Sequence, residues 1–299
     1  MDALMLSLLS ALFLSINAVV VRKALMKVNP LKGTFVSATF ALVILTFFSA
    51  VNGDFSNLYH VEAIMAILLG FAGVLHLTIG QTLYYYSTKI VGASRGQILI
   101  STNLIYAAIF SFLILGEALG IGLIIGITLT TVGICLTSFG AVPSETPQTN
   151  ASMTWSHAYG ILFGLVGGAV WGLTSVLVKV GMVSVNSPSF SNFISYSFAV
   201  AFYPMLLVGT GNQRGFRDID KKCLIWLLVS GAVTCVAQVF RYSALQLANV
   251  SFVAPIISIS PLFTVLFSYF FIQKIEMINL KTVIGTVLAV LGLYAIIFS

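Results

Sequence analysis

Residues Ile257–Phe271 read ISISPLFTVLFSYFF, and Ile100–Ile114 read ISTNLIYAAIFSFLI. Both are apolar runs that open on Ile-Ser. Pro261 sits inside the later one, where a soluble helix would usually break, because proline has no N–H to donate and its ring clashes with the preceding turn. The segment is written twice, with a proline in one copy only. That doubling, followed outward, organises the whole chain.

Composition sets the class. Apolar residues make up 59% of the 299 residues and charged residues 7%, against roughly 25% charged in ordinary soluble domains. Apolar stretches of about 20 residues recur along the chain, each long enough to cross a ~30 Å hydrocarbon core as a helix. The expectation is an all-α polytopic membrane protein with no sizeable soluble domain. The first stretch, Ala3–Val21, has Asp2 before it and Arg22 and Lys23 after it. A signal peptide carries its charge in front and a small-residue cleavage site behind, so this stretch is expected to be a mature helix. Cys135, Cys223 and Cys235 have no metal-site spacing, and an odd number does not make a disulfide framework. The net charge of +6 comes from basic residues that punctuate loops. That is the membrane pattern rather than a nucleic-acid footprint.

Charges and loop signals divide the chain into ten expected spans. The first five are Ala3–Val21, Thr34–Val51, Ala63–Tyr86, Gly96–Leu115 and Leu119–Phe139. The second five are Tyr159–Val183, Phe190–Leu207, Cys223–Leu247, Val250–Ile272 and Leu280–Phe298. Between the sets lies the polar stretch AVPSETPQTNASMTWS, Ala141–Ser156, which reads as a linker. The expected units are therefore residues 1–140, a linker at 141–156, and residues 157–299.

The two units match at a nearly constant offset. At 157 residues, Asn29 meets Asn186, Gln81 meets Gln238, Tyr85 meets Tyr242 and Ser94 meets Ser251. Ile100, Ser101, Phe110 and Ser111 meet Ile257, Ser258, Phe267 and Ser268. At 159 residues, Glu117 meets Glu276, Gly126 meets Gly285 and Gly133 meets Gly292. Five is odd, so two directly joined copies must enter the membrane from opposite sides. The result is an inverted repeat with a pseudo-twofold axis in the membrane plane. Such repeats place a solute near the midplane and open it alternately to each side.

This arrangement resembles the drug/metabolite transporter superfamily, specifically its EamA-like members, over essentially the whole chain. The matching residues are ILGE at Ile114–Glu117, SPLF at Ser260–Phe263, AVWG at Ala169–Gly172, and the paired glycines of the fifth and tenth spans. The resemblance implies a transporter of small metabolites such as amino acids, usually moving them outward. The chain departs from the family pattern in three places. Leu104, after Asn103, stands where the family often has a fourth-span proline. The first-span tryptophan is missing, with Phe13 nearby. The second copy of the glutamate motif is degraded to FIQKIE. These departures imply that the halves have specialised and put a symmetric kink in doubt.

The eight acidic residues lie at span ends or in loops, from Asp2 to Glu276. Intramembrane carboxylates usually mark ion pathways. Without one at mid-span, proton-for-cation exchange of the small multidrug type has no evident residue. Two cations lie within spans. Arg241, in QVFRYSAL, and Lys179, in VLVKVG, either face a cavity and bind a carboxylate or phosphate, or snorkel to the interface. Gln238 and Tyr242 flank Arg241 and lean it toward the cavity. His76 is the only histidine within a span. It either carries protons or is a neutral hydrogen-bonded group between helices. Gln97, Ser101 and Asn103 form the densest polar cluster, and Ser258 and Ser260 match its place in the other half. Thr174, with Trp171, contributes from the sixth span.

Pro261 is expected to bend the ninth span where it lines a cavity, with Asn103 serving the fourth. The tyrosines Tyr84–Tyr86 read as an interfacial belt or as a cavity wall. Gly126, Gly133, Gly285 and Gly292 suit close packing, within a half or between subunits.

The expected substrate-binding set is thus His76, Gln97, Ser101, Asn103, Trp171, Thr174, Gln238, Arg241, Tyr242 and Ser258, with Pro261 as the kink. No cofactor, metal or nucleic acid is expected. The partners are a small-molecule substrate and the bilayer, the chain acting as a monomer or a homodimer in the plasma membrane.

Twelve basic residues fall in one set of alternating loops, and Lys179 and Arg241 stand apart from them. That bias puts both termini outside, whereas the resemblance implies both inside. Small polar or zwitterionic solutes lead as substrates. The alternatives are exchange of phosphorylated metabolites or nucleotide sugars, which calls for a cluster of cavity cations, and lipid handling. The sequence shows no HExxH, no intramembrane carboxylate pair and no GxxxxGK[ST] loop, so neither an enzyme nor a direct ATP-driven pump is expected.

Overall fold

The computed structural model describes residues 2–25, 27–59, 61–91, 93–140, 155–183, 185, 187–211, 219–271 and 280–298. Among the described residues all regular elements are helical. Apolar side chains leave nothing outside to satisfy backbone N–H and C=O groups, so each segment bonds within itself.

The helices are α1 Ala3–Leu25, α2 Pro30–Val51, α3 Ala63–Gly73, α4 Gln81–Val91, α5 Ala93–Ser101, α6 Asn103–Phe110 and α7 Ile121–Gly140. They continue with α8 Trp155–Gly181, α9 Pro188–Gly209, α10 Lys221–Leu247, α11 Val250–Ile257, α12 Ser260–Phe271 and α13 Leu280–Ile297. A π-helical stretch, Val74–Gly80, joins α3 to α4, and another, Ser111–Leu115, ends α6. Seven runs among the described residues are long and apolar enough to cross a membrane: Ala3–Leu25, Pro30–Val51, Ala63–Val91, Arg95–Leu115, Ala158–Gly181, Pro188–Gly209 and Lys221–Leu247. Three shorter apolar helices are Ile121–Leu136, Val250–Thr264 and Ile284–Ile297.

Several helices start earlier than apolar patterning alone indicates. Asn29 accepts from the Leu31 N–H at 2.9 Å and Pro30 takes the first helical position, so α2 begins four residues before Thr34. Ser187 and Pro188 do the same for α9, with the Ser187 hydroxyl accepting from Phe190 N at 3.2 Å. The linker expected at Ala141–Ser156 lies outside the described residues up to 154, and α8 already begins at Trp155. FIQKIE lies outside them from Ile272 on.

α1 lies along α10 and α12, while α8 lies along α4, α5 and α6. α2 packs against both α9 and α10. α7 and α13 form a tight pair. A Cβ on Gly126 would meet Ile296 Cγ1 at 2.5 Å and the Gly292 carbonyl at 2.8 Å, and one on Gly133 would strike Ala289 and the Gly285 carbonyl. The seven-residue glycine series therefore packs two helices of one chain.

Two spans are interrupted. The ninth breaks between α11 and α12, at Ser258 and Ile259, just before Pro261. Pro261 cannot donate to the Ile257 carbonyl, and Pro255 lies inside α11 as well. The fourth breaks at Thr102, with no proline. Its N–H turns to the Leu99 carbonyl at 3.4 Å and its hydroxyl donates to the same carbonyl at 2.7 Å. Gly168 of α8 makes room: a Cβ there would lie 2.5 Å from Thr102 Oγ1 and 3.2 Å from the carbonyl oxygens of Leu99 and Ile100. The missing fourth-span proline had put a symmetric kink in doubt. The structure breaks both spans, by different means.

Candidate functional site

A cleft opens where the two broken spans meet the π-helical stretch of the third. His76 reaches it from the π-stretch, Gln97, Ser101 and Asn103 from α5–α6, and Trp171 from α8. Gln238 and Arg241 enter from α10, Ser258 and Ser260 from the α11–α12 break. π-stretches and helix breaks turn backbone groups and side chains out of the regular ladder, and they recur at functional sites.

His76 and Arg241 form the polar centre. His76 Nδ1 lies 2.9 Å from Thr174 Oγ1 and Nε2 lies 3.0 Å from Gln238 Nε2, so the ring bridges the third, sixth and eighth expected spans. Arg241 Nη1 lies 3.3 Å from Nδ1 and 3.2 Å from Nε2. Which nitrogen of His76 carries a proton depends on the tautomer, and an imidazole protonated at both would face the guanidinium. Trp171 stacks on its ring, with centroids 4.8 Å apart, and donates from Nε1 to the His76 carbonyl at 3.2 Å.

Arg241 is 6% exposed. Nη1 also donates to Gln238 Oε1 at 3.1 Å, and Nη2 donates to Ser175 Oγ at 2.8 Å. None of these partners is an acid, and among the described residues no Asp or Glu lines the cavity. A desolvated cation without a counter-charge costs several kcal/mol in order-of-magnitude terms. An anion entering the cavity would offset that cost.

The opposite wall is a chain of neutral groups. Tyr84 donates to Gln97 Oε1 at 2.5 Å, and Gln97 Nε2 donates to Ser260 Oγ at 2.8 Å. Ser101 Oγ donates to the Gln97 carbonyl at 2.8 Å. Ser258 Oγ bonds Asn103 Oδ1 at 2.7 Å and the Ala254 carbonyl at 2.8 Å, so the fourth-span and ninth-span breaks touch each other. Ser15 of α1 donates to the Ser260 carbonyl at 2.7 Å. Pro261 is buried at the second position of α12, behind this wall.

Two expected residues stand apart. Tyr242 faces away from the cavity and donates to Ser195 Oγ at 2.9 Å on α9. Neighbouring helix positions point about 100° apart, so Tyr242 cannot share the Arg241 face. Thr174 stands behind His76 and touches the cavity only through it. Tyr84 and Tyr85 are buried at 2% and 1%, so the interfacial belt does not describe them. Leu14, Ile100 and Ile257 line the cavity as well and are absent from the expected set, although Leu14 stands 157 residues before Trp171, a position the repeat offset supplies.

Lys179 does not line the cavity. Its Nζ donates to the Leu245 carbonyl at 2.6 Å and the Ala248 carbonyl at 3.0 Å, capping α10. Glu117 takes the other side of that turn, accepting from Val250 N at 3.0 Å and Ser251 N at 2.9 Å, and so caps α11. Gly116, with φ 66°, swings the glutamate across. Each charge suits the end of the helix macrodipole it meets. ILGE is here a device that fastens the end of the fourth span to the start of the ninth.

Among the described residues no three His, Cys, Asp or Glu side chains group as metal ligands. The family model that matches is the EamA-like transporter family, over residues 1–139 and 158–298. The chain belongs to the EamA-like transporter family. This EamA-like chain is 24% identical over 225 residues to an uncharacterized transporter of Clostridium kluyveri, covering 75% of this chain and 70% of that one. It is 27% identical over 232 residues to an uncharacterized transporter of Archaeoglobus fulgidus, covering 74% and 75%. One solved crystal structure superposes with a TM-score of 0.73 at 14% identity, over 98% of this chain and 95% of that one. At that identity the likeness concerns the fold. With its long apolar helices, the family membership makes this an integral membrane protein.

Proposed function

We propose that the protein is a secondary transporter that moves small carboxylate-bearing polar solutes, neutral amino acids first, outward across the plasma membrane. The carrying observation is Arg241: a buried cation on a cavity wall, bonded to no acid and with no acid lining the cavity among the described residues. A solute carboxylate would supply the missing charge in bidentate form. Trp171, Leu14, Ile100 and Ile257 leave an apolar side for the rest of the solute. Phosphorylated solutes would call for more cations than the single one on this cavity wall.

The mechanism in this reading is alternating access between two inverted repeats of five spans, residues 1–140 and 157–299. The three shorter apolar helices are counted as spans here, giving ten. One pair of contacts supports the repeat strongly. Ser37 Oγ donates to the Leu227 carbonyl at 3.0 Å, and Ser195 Oγ donates to the Leu69 carbonyl at 2.9 Å. Donor and acceptor each shift by 158 residues, from 37 to 195 and from 69 to 227. The same contact is made twice with the halves exchanged. The crossed docking of α1 on α10 and of α8 on α4 follows the same rule. In this reading the Glu117–Lys179 fastening closes the cavity on the side bearing the α10–α11 turn, and opening that side breaks it.

The test is counterflow in proteoliposomes with labelled neutral amino acids, repeated with Arg241→Ala. Saturable exchange that Arg241→Ala abolishes is the expected result. Folded protein that exchanges none of them would remove amino acids as the substrate class. Exchange that survives Arg241→Ala would remove the arginine from the site.

A further inference from the structure

A second chamber lies between α2, the third span, α9 and α10. Thr34, Ser37, Gln81, Tyr85, Tyr196 and Thr234 give it polar walls. Two of these groups are unspent. The Tyr196 hydroxyl and Thr234 Oγ1 are buried with no hydrogen-bond partner among the described residues. Tyr196 is 1% exposed and Thr234 6%. Each unmade bond costs about 1–3 kcal/mol. A threonine in a helix can spend its proton on its own backbone, as Thr34 does on the Pro30 carbonyl at 3.1 Å. Thr234 does not. A phenylalanine and a valine would fill the same volume at no such cost, so the two hydroxyls point to an occupant.

The chamber's position suggests which. Ser230, Thr234, Gln238 and Arg241 follow one another at four, four and three residues, on one face of α10. The row runs about 16 Å. Arg241 and Gln238 line the first cavity and Thr234 the second, on the side toward Lys221 and Lys222, where the basic loops lie. The chamber walls carry neither a cation nor an acid. Two hydroxyl donors without charge recognise an acceptor oxygen but hold it weakly, which suits passage rather than storage.

We propose that this chamber is a transit station for the hydrogen-bond-accepting group of the transported solute, between the Arg241 cavity and the membrane face bearing the basic loops. The proposal rests on the transport reading above.

The test needs no known substrate. The full chain, with Cys135, Cys223 and Cys235 replaced by serine, carries either Thr234→Cys or Gln238→Cys in sealed vesicles. Sulfonatoethyl methanethiosulfonate, an anion rich in acceptor oxygens, is the probe. We expect both positions to react from the basic-loop face, Thr234→Cys at least threefold faster. Tyr196→Phe, which keeps the ring, should slow the reaction of Gln238→Cys with this probe about threefold and leave its reaction with neutral methyl methanethiosulfonate unchanged. Reaction at Gln238→Cys with none at Thr234→Cys would overturn the station while leaving the transport cavity standing. An unchanged sulfonate rate in Tyr196→Phe would overturn it as well, and that variant answers the question even where Thr234→Cys does not fold. Silence at both cysteines, in protein that exchanges no amino acid, would remove the station together with the transport reading.

Discussion

Tyr84 and Arg241 hold the same place in the two halves, 157 residues apart, and both are buried. Tyr84 spends its hydroxyl on Gln97, whereas Arg241 brings a charge to the cavity wall. His76 differs from its counterpart, Val233, in the same way. Around them the halves agree: Leu14 answers Trp171, Ile100 answers Ile257, Ser101 answers Ser258, and Asn103 answers Ser260, all on the cavity. The container is built nearly twice over and the electrostatics once. In the proposed transport reading, a solute held here would be gripped at one end, away from the pseudo-axis of the proposed repeat.

The strongest way to break that comparison is to remove the charge. Arg241→Gln is expected to weaken carboxylate binding by about 3 kcal/mol, roughly 100-fold, read by isothermal titration in detergent. Exchanging the two residues, Tyr84→Arg with Arg241→Tyr, sharpens it. Without His76 and Gln238 beside the new guanidinium, binding should stay at or below about a tenth of the original, and full recovery would mean that only the presence of a cation matters.

The two broken spans offer a second contrast. The fourth depends on space left by Gly168, the ninth on proline. Gly168→Val should therefore destabilise by about 1–3 kcal/mol, seen as a lower unfolding midpoint, because the valine meets Thr102 and two backbone carbonyls. A midpoint at the wild-type value would show that the Thr102 turn can move. Glu117→Ala should cost about 1 kcal/mol, since α11 loses the carboxylate on its first N–H groups and Asn249 makes no side-chain cap. Pro261→Ala should have the smallest effect, under about 1 kcal/mol. Gln97 and Ser15 already hold Ser260 at the break, and a cost above 2 kcal/mol would refute that account.

The same contrast marks what a sequence reader could see. Proline announces its break in one letter, so the interruption near Pro261 was legible. The break at Thr102 was not, because its cause is a glycine on α8, 66 residues later. Polar residues isolated in apolar runs had to face one another, which brought Gln97, Ser101, Asn103, Gln238 and Arg241 to the right neighbourhood. Helical spacing sets Tyr242 on a different face of α10 from Arg241, toward Ser195. The capping of the α10–α11 turn by Glu117 on one side and Lys179 on the other joins four spans, and neither residue's surroundings in the sequence foretell it. Tyr84 and Tyr85 looked interfacial because they end an apolar run, yet α4 continues five residues past Tyr86, to Val91, and carries them inside.

The glycine mesh between α7 and α13 bears on how the molecule can move. The two helices engage like threaded rods, with each notch of one receiving backbone of the other at a repeat of seven residues, or about 10.5 Å along the axis. Sliding by a fraction of that repeat drives main chain into main chain, and sliding by all of it would carry a helix end a third of the way across a bilayer of about 30 Å. Translation between these two helices is thereby opposed by backbone contact at every notch. In the proposed alternating access this pair would serve as the keel against which other helices tilt.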